Sequence, residues 1–126
     1  MNQTLSKIIQ LINTESFYEA EQELRKIYNQ FSNSFDINKL LGAATLAQRK
    51  YNIALKCYEK CWNKKKDYDT AVNLSFIFLK TQYYENSINF GNEALAINPA
   101  GAHSYQNIAT SYFHLAKYEK AGEYAL

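Results

Sequence analysis

The sequence has few of the residues that interrupt helices, with one proline and four glycines among 126 residues. Because both residues disfavour the interior of a helix, their scarcity favours a mainly helical chain whose turns lie at clusters of Asn, Asp and Ser. Cysteine is also scarce. The two present, Cys57 and Cys61, are too few for the disulfide framework of a small secreted domain. The composition therefore predicts a helical intracellular protein.

Long apolar runs and a strong net charge are absent as well. No apolar stretch approaches the roughly 20 residues that a membrane-spanning helix needs. The opening segment MNQTLSKIIQLIN lacks the long apolar run and cleavage site of a signal peptide. Fourteen basic and twelve acidic residues give a net charge of +2, too small to attract the whole chain to nucleic acid or an anionic membrane. We expect a soluble cytoplasmic protein that binds neither nucleic acids nor membranes.

What the sequence does contain is an internal period. Four aromatic residues are 34, 33 and 34 residues apart, namely Phe17, Tyr51, Tyr84 and Tyr118. Each is followed three positions later by a small residue, namely Ala20, Ala54, Ser87 and Ala121. The only proline, Pro99, lies where one repeat would pass to the next. A fixed period of this length is typical of solenoids, in which each unit stacks on its neighbours to bury a continuous core.

These residues resemble the tetratricopeptide repeat (TPR), whose unit is a helix–turn–helix of 34 residues. The resemblance is closest where the third repeat passes to the fourth, at Ala94, Leu95, Pro99, Tyr105, Ile108, Ala109, Tyr112, Tyr118 and Ala121. Three positions depart from the family pattern. Asn38 and Ala71 stand where a large aromatic residue is usual, and Gly91 stands where Phe or Tyr is usual.

The resemblance implies an all-α fold, an α-solenoid of antiparallel helix pairs with about three and a half TPR repeats in a right-handed superhelix. It predicts a single TPR domain over residues 1–126. The expected repeats are 1–34, 35–67, 68–101 and 102–126, of which the last is incomplete. Each repeat would contribute a first helix, called A, and a second helix, called B.

In TPR arrays the A helices line a concave surface, so the resemblance also implies a peptide-binding groove. Its expected residues are Lys39, Asp69, Val72, Asn73, Phe76, Lys80, His103, Gln106, Asn107, Thr110 and His114. Asn73 and Asn107 occupy equivalent positions, where the repeats of O-linked N-acetylglucosamine transferases carry asparagines that hold a peptide backbone. A side-chain amide suits this role because it offers both a donor and an acceptor. Asparagine is also a common consensus residue at this position.

The expected function is therefore a protein–protein interaction scaffold that binds a peptide or partner segment in the groove. The alternative is an N-terminal substrate-recruiting module of a larger enzyme such as a glycosyltransferase, since the chain most resembles the repeat arrays that precede such domains.

Signals for catalysis or metal binding are weak. The sequence has no glycine-rich phosphate loop and no nucleophile elbow. His103 and His114 would lie roughly 16 Å apart along one helix, too far to share an ion. Cys57 and Cys61 are interpreted as one core and one surface cysteine. We expect no enzymatic activity within this segment, no metal and no cofactor.

Positive charge is concentrated in the second repeat. Residues 35–67 hold eight basic and three acidic residues, a net charge of +5. Within them Lys56, Lys60 and Lys64 recur every four residues, so they form one stripe along a helix. This stripe has two interpretations, a docking surface for an acidic partner or a solvated outer face.

The final stretch, LAKYEKAGEYAL, resembles the interior of a helix rather than its end. We therefore expect a fragment, or an array that another element completes, whose open end exposes apolar surface. The candidates for that surface are Tyr112, Leu115, Tyr124 and Leu126. Because exposed apolar patches favour association, self-association through the C-terminal end is expected.

Overall fold

The computed structural model describes the backbone from Asn2 to Ala125, and all regular structure within these residues is helical. The eight α-helices are α1 (Asn2–Asn13), α2 (Phe17–Ile27), α3 (Phe35–Ala47), α4 (Tyr51–Lys64), α5 (Tyr68–Lys80), α6 (Tyr84–Ile97), α7 (Ala102–His114) and α8 (Tyr118–Tyr124). A short 3₁₀ turn, Tyr28–Gln30, follows α2. The prediction of an all-α fold made of antiparallel helix pairs is confirmed.

The A helices begin where the repeats were expected to begin, at residues 35, 68 and 102. Two of these starts are capped by side chains that accept a hydrogen bond from the first turn. Ser34 accepts one from the backbone N–H of Ile37 at 3.2 Å, and Asp67 accepts one from that of Thr70 at 2.9 Å. Gly101 precedes α7 without such a side chain. Local capping therefore helps to set where the repeats start.

Each A helix ends in the same turn, built around one residue in the left-handed conformation. The four residues are Glu15, Arg49, Gln82 and Ala116, with φ values of 61°, 62°, 70° and 60°. In each turn the next backbone N–H donates to the carbonyl five residues earlier, as from Lys50 to Thr45 at 2.9 Å. This is the Schellman motif, which usually has glycine at the left-handed position. None of the four is glycine, so the sequence carried no glycine signal for these turns.

The described chain divides into two compact units, one ending at Lys64 and one beginning at Lys65. In the first unit, α1 packs on α2, α2 on α3 and α3 on α4. Its buried core consists of Ile8, Ala20, Leu24, Ile37, Leu41, Ala44 and Cys57. Burial of this apolar surface is the main stabilising contribution in the unit.

Asn38 explains one departure from the family pattern. Its side chain is buried and donates hydrogen bonds to the carbonyls of Ser32 and Ser34 at 2.9 and 2.8 Å. It also accepts one from the Tyr28 hydroxyl at 2.8 Å. An amide at this position therefore fixes the chain that leads from the 3₁₀ turn into α3, which an aromatic ring could not do.

The cysteine interpretation was partly wrong. Both Cys57 and Cys61 are buried and free, and neither is a surface residue. The thiol of Cys61 lies 3.5 Å from the carbonyl oxygen of Phe35, so it faces α3 rather than solvent. Small apolar thiols suit such a crossing between helices.

In the second unit, α5 packs on α6, and α7 packs on α5, α6 and α8. Ser75 and Ser87 are fully buried where α5 crosses α6, and each hydroxyl donates to the carbonyl of the other residue at 2.7 Å. Gly91 lies where α6 meets α7. A Cβ at Gly91 would lie 2.5 Å from Cγ1 of the buried Ile108. The family pattern has an aromatic residue at position 91, and glycine there leaves room for the side chain of the buried Ile108.

Candidate functional site

Ten of the eleven expected groove residues lie on α5 and α7, two A helices that pack against each other. On α5 they are Asp69, Val72, Asn73, Phe76 and Lys80, and on α7 they are His103, Gln106, Asn107, Thr110 and His114. In both helices they follow the spacing of one helix face, and each α5 residue has its counterpart 34 positions later on α7. We call these ten residues the α5–α7 face.

The eleventh residue, Lys39, lies on α3 in the first unit. Its ammonium group is 5.4 Å from the ring centroid of Phe35. The candidate site is therefore built from the second unit alone.

Two side-chain amides stand at equivalent positions of the α5–α7 face. Asn107 is 6% exposed, and Asn73 is half-buried. Among the described residues neither amide has a hydrogen-bond partner, whereas buried amides are normally paired. The Asn107 amide nevertheless keeps some access to solvent, because the only fully buried polar side-chain atoms without a partner in the described chain are Oγ1 of Thr70 and Oγ of Ser111. Both amides are therefore available to an external donor or acceptor.

Aromatic rings lie beside charged or titratable groups at the C-terminal ends of the two helices. The Lys80 ammonium group lies 5.5 Å from the ring centroid of Phe76. The His114 ring stacks on that of Tyr84, with centroids 4.8 Å apart and planes 5° from parallel. The stack on Tyr84 orders the His114 ring and thereby reduces the entropy that a ligand would lose on binding it.

Gln106 and Thr110 also line a depression at the C-terminal end of the second unit. Its volume is about 420 Å³, and its other lining residues are Ala102, Tyr105, Ala109 and Ala125. Small side chains and one aromatic ring make most of this lining. The two residues therefore belong to this depression as well as to the α5–α7 face.

The residues expected to be exposed at this end are only partly so. Tyr112, Leu115 and Tyr124 are half-buried. The rings of Tyr112 and Tyr124 cover each other, since they stack with centroids 5.7 Å apart. Leu126 lies outside the described residues. The exposed aromatic residues are instead Phe113 and Tyr118, at 60% and 63%, which contact each other edge to face at 5.4 Å. Phe113 gave no signal in the repeat pattern, and Tyr118 was recognised only as one of the four periodic aromatic residues.

Within residues 2–125, no three His, Cys, Asp or Glu side chains come together as a metal site would require. None of the helices in that same part of the chain has the length and apolar character that crossing a bilayer requires.

No protein-family model and no curated protein matches the sequence. Solved structures of MamA, a TPR protein, match the fold. One crystal structure of MamA superposes with a TM-score of 0.91 at 16% identity, covering 98% of this chain and 68% of the MamA chain. MamA from Desulfovibrio magneticus RS-1, from residue 41 to its end, superposes with a TM-score of 0.90 at 19% identity, covering 96% of this chain and 69% of that one. MamA MSR-1 superposes with a TM-score of 0.89 at 17% identity, covering 96% of this chain and 70% of that one.

At such identities the likeness shows the fold alone. The chain therefore has the fold of a TPR-type helical solenoid, as the period predicted. The closer resemblance to arrays that precede glycosyltransferase domains stays a prediction.

Proposed function

We propose that the chain is a non-catalytic interaction scaffold that binds an extended peptide along the α5–α7 face. The observation that carries this proposal is the pair of equivalent amides, Asn73 and Asn107, which have no partner in the described chain and keep access to solvent. An amide can donate to a peptide carbonyl and accept from a peptide N–H, whatever side chains the peptide carries. Two such amides, one repeat apart, would fix its path across both helices.

Selectivity would come from the side chains around the amides. Val72 and Phe76 offer apolar contact, and His103 is an exposed polar group on α7. Peptide recognition in which backbone hydrogen bonds give affinity and neighbouring side chains give specificity is common. Recruitment of substrates to a larger enzyme would use this same face.

The test compares two double variants of the full chain. Peptides are first selected from a displayed library against the wild type, and their affinities are then measured by fluorescence anisotropy. Asn73→Ala with Asn107→Ala should weaken binding, since each lost hydrogen bond costs about 0.5–1.5 kcal/mol, or about two- to twelvefold in Kd. The control is Asn89→Ala with Asn92→Ala, two exposed residues of α6.

Circular dichroism should show the same helicity and melting for both double variants. If the Asn73 and Asn107 variant is folded and binds the selected peptides as the wild type does, the α5–α7 face is not their site. Equal weakening by the α6 control would also contradict the proposal.

A second candidate function is self-association, favoured by two exposed aromatic rings that contact each other at the turn between α7 and α8. Phe113 and Tyr118 together present an aromatic patch, which soluble monomers tend to avoid. A second copy of the chain is the proposed occupant of this patch.

A further inference from the structure

A pocket of about 280 Å³ lies in the first unit between α2 and α4. Its floor is apolar and consists of Leu41 from α3 with Ile53 and Cys57 from α4. Burial raises the pKa of the Cys57 thiol to about 11, so this side chain is neutral at physiological pH. The floor therefore offers an uncharged surface to an apolar group.

The rim of this pocket is basic. It contains Arg25, Lys56 and Lys60, and none of the described residues that line the pocket is acidic. Arg25 is already neutralised, because its guanidinium binds the Glu21 carboxylate at 2.6 Å. Lys56 and Lys60 have no carboxylate partner within the described chain. Two positive charges at the rim thus remain uncompensated.

One of these two charges is held in place. The Lys60 ammonium group donates to the Tyr28 hydroxyl at 3.1 Å and to the Ser32 carbonyl at 3.3 Å, and it lies 5.4 Å from the Tyr28 ring centroid. All three contacts are with neutral groups, so the charge stays available to an anion. Lys64, one turn further along α4, does not line the pocket.

We propose that this pocket binds an acidic protein segment, one apolar side chain of which enters the pocket while flanking carboxylates contact Lys56 and Lys60. Size favours this occupant, since the volume falls just below the range of about 300–1,000 Å³ typical of small-molecule sites. The lining residues on α4 span about 10 Å of the helix, the length of a few extended residues. This docking surface would be a second one, on a different unit from the α5–α7 face.

The complementary charge should act mainly on encounter and orientation, and the apolar anchor on affinity. The probe is a fluorescein-labelled peptide of twelve residues, with glutamates on both sides of one central leucine. Two matched peptides carry serine in place of the leucine or glutamines in place of the glutamates. Binding is measured by anisotropy on the full chain at 50 mM and 300 mM salt.

The expected results separate the pocket from the general charge of α4. Lys56→Glu should weaken binding of the leucine peptide about tenfold, since it replaces an attraction by a repulsion. Lys64→Glu makes the same charge change on the same helix outside the pocket and should alter Kd by less than about twofold. The serine peptide should bind about tenfold more weakly than the leucine peptide. Raising the salt concentration from 50 mM to 300 mM should weaken binding of the leucine peptide.

Several outcomes would overturn the proposal. Equal affinity of the Lys56→Glu variant and the wild type would show that the pocket is not the site. Equal loss of affinity in the two lysine variants, or equal binding of the leucine and serine peptides, would show that binding depends only on unspecific charge attraction.

Vesicles containing phosphatidylserine are tested in parallel. If they bind in a Lys56-dependent way while the peptide does not, the occupant is an anionic membrane surface. If Lys56→Glu abolishes self-association in sedimentation and the peptide does not bind, the occupant is a second copy.

Discussion

At the scale of single residues, Glu21 shows how one carboxylate can join distant parts of the first unit. Glu21 is 1% exposed. Its carboxylate oxygens accept hydrogen bonds from Arg25 at 2.6 Å, Lys50 at 2.8 Å and Gln48 at 2.9 Å. Burial alone would raise the pKa of Glu21, but the hydrogen bonds from Lys50, Arg25 and Gln48 together outweigh it and lower the pKa. Glu21 therefore connects α2 to the turn between α3 and α4 in its ionised form.

This network predicts a stability that depends on pH. Because the pKa of Glu21 is lower in the native state than its ordinary value of 4.5, its contribution is fully present above pH 4.5 and is lost as the pH falls through the native pKa. Glu21→Gln should lower the free energy of unfolding at pH 7 by about 1–3 kcal/mol. The difference from wild type should shrink below pH 4.5.

Urea denaturation at pH 7, 5 and 3.5 measures both effects. Glu19→Gln, on the exposed side of the same helix, is the control and should change stability little at any of these pH values. A difference between wild type and Glu21→Gln that stays constant from pH 7 to pH 3.5 would contradict the assignment of the network to the ionised carboxylate.

At the scale of helices, the period located the elements, but capping and contacts determined their ends and crossings. The spacing of Phe17, Tyr51, Tyr84 and Tyr118 gave the period, and in the structure each of them is the first residue of a B helix. The turns before them could not be recognised, because non-glycine residues hold the left-handed position. Gly91 appeared only as a departure from the family pattern, since its meaning depends on Ile108 in another helix.

The crossing of α6 and α7 gives a prediction about this glycine. Replacing glycine by alanine inside a helix usually stabilises it by about 0.5–1 kcal/mol. At Gly91 the added methyl would meet the fully buried Ile108, so Gly91→Ala should instead destabilise the chain by about 1–3 kcal/mol. Gly122→Ala is the control, because a Cβ there would have no described atom within 4 Å other than its own helix backbone and its chain neighbours.

Thermal melting of the two variants, each with and without Ile108→Ala, tests the contact itself. Trimming Ile108 removes the clashing atoms, so Gly91→Ala should cost much less in that background, and the two changes should be non-additive. The effects of Gly122→Ala and Ile108→Ala on stability should instead be additive. A Gly91→Ala variant as stable as the wild type would mean that the helices do not approach as closely as described.

At the scale of the whole chain, the sequence predicted which residues share a helix face, but it did not predict which residues line a pocket. The α5–α7 face follows from a period of 34 residues, because helical spacing places equivalent residues on the same side of each A helix. The pocket between α2 and α4 was not predictable in this way. The lysine stripe was visible, but Lys60 is held by Tyr28, 32 positions earlier, through packing that no local pattern contains. Exposure at the C-terminal end was predicted only in part, because Tyr112 and Tyr124 cover each other.

That end gives the last prediction, which concerns assembly. If the patch of Phe113 and Tyr118 binds a second copy, then Phe113→Ser with Tyr118→Ser should shift the chain toward monomer in sedimentation velocity at rising concentration, since burial of apolar surface drives association. The matched control replaces Tyr18 and Tyr83, which are 60% and 62% exposed, by serine. It removes a similar exposed aromatic area elsewhere and should leave association unchanged. A wild-type chain that is monomeric at every concentration, or equal dissociation of both double variants, would refute assembly through this patch.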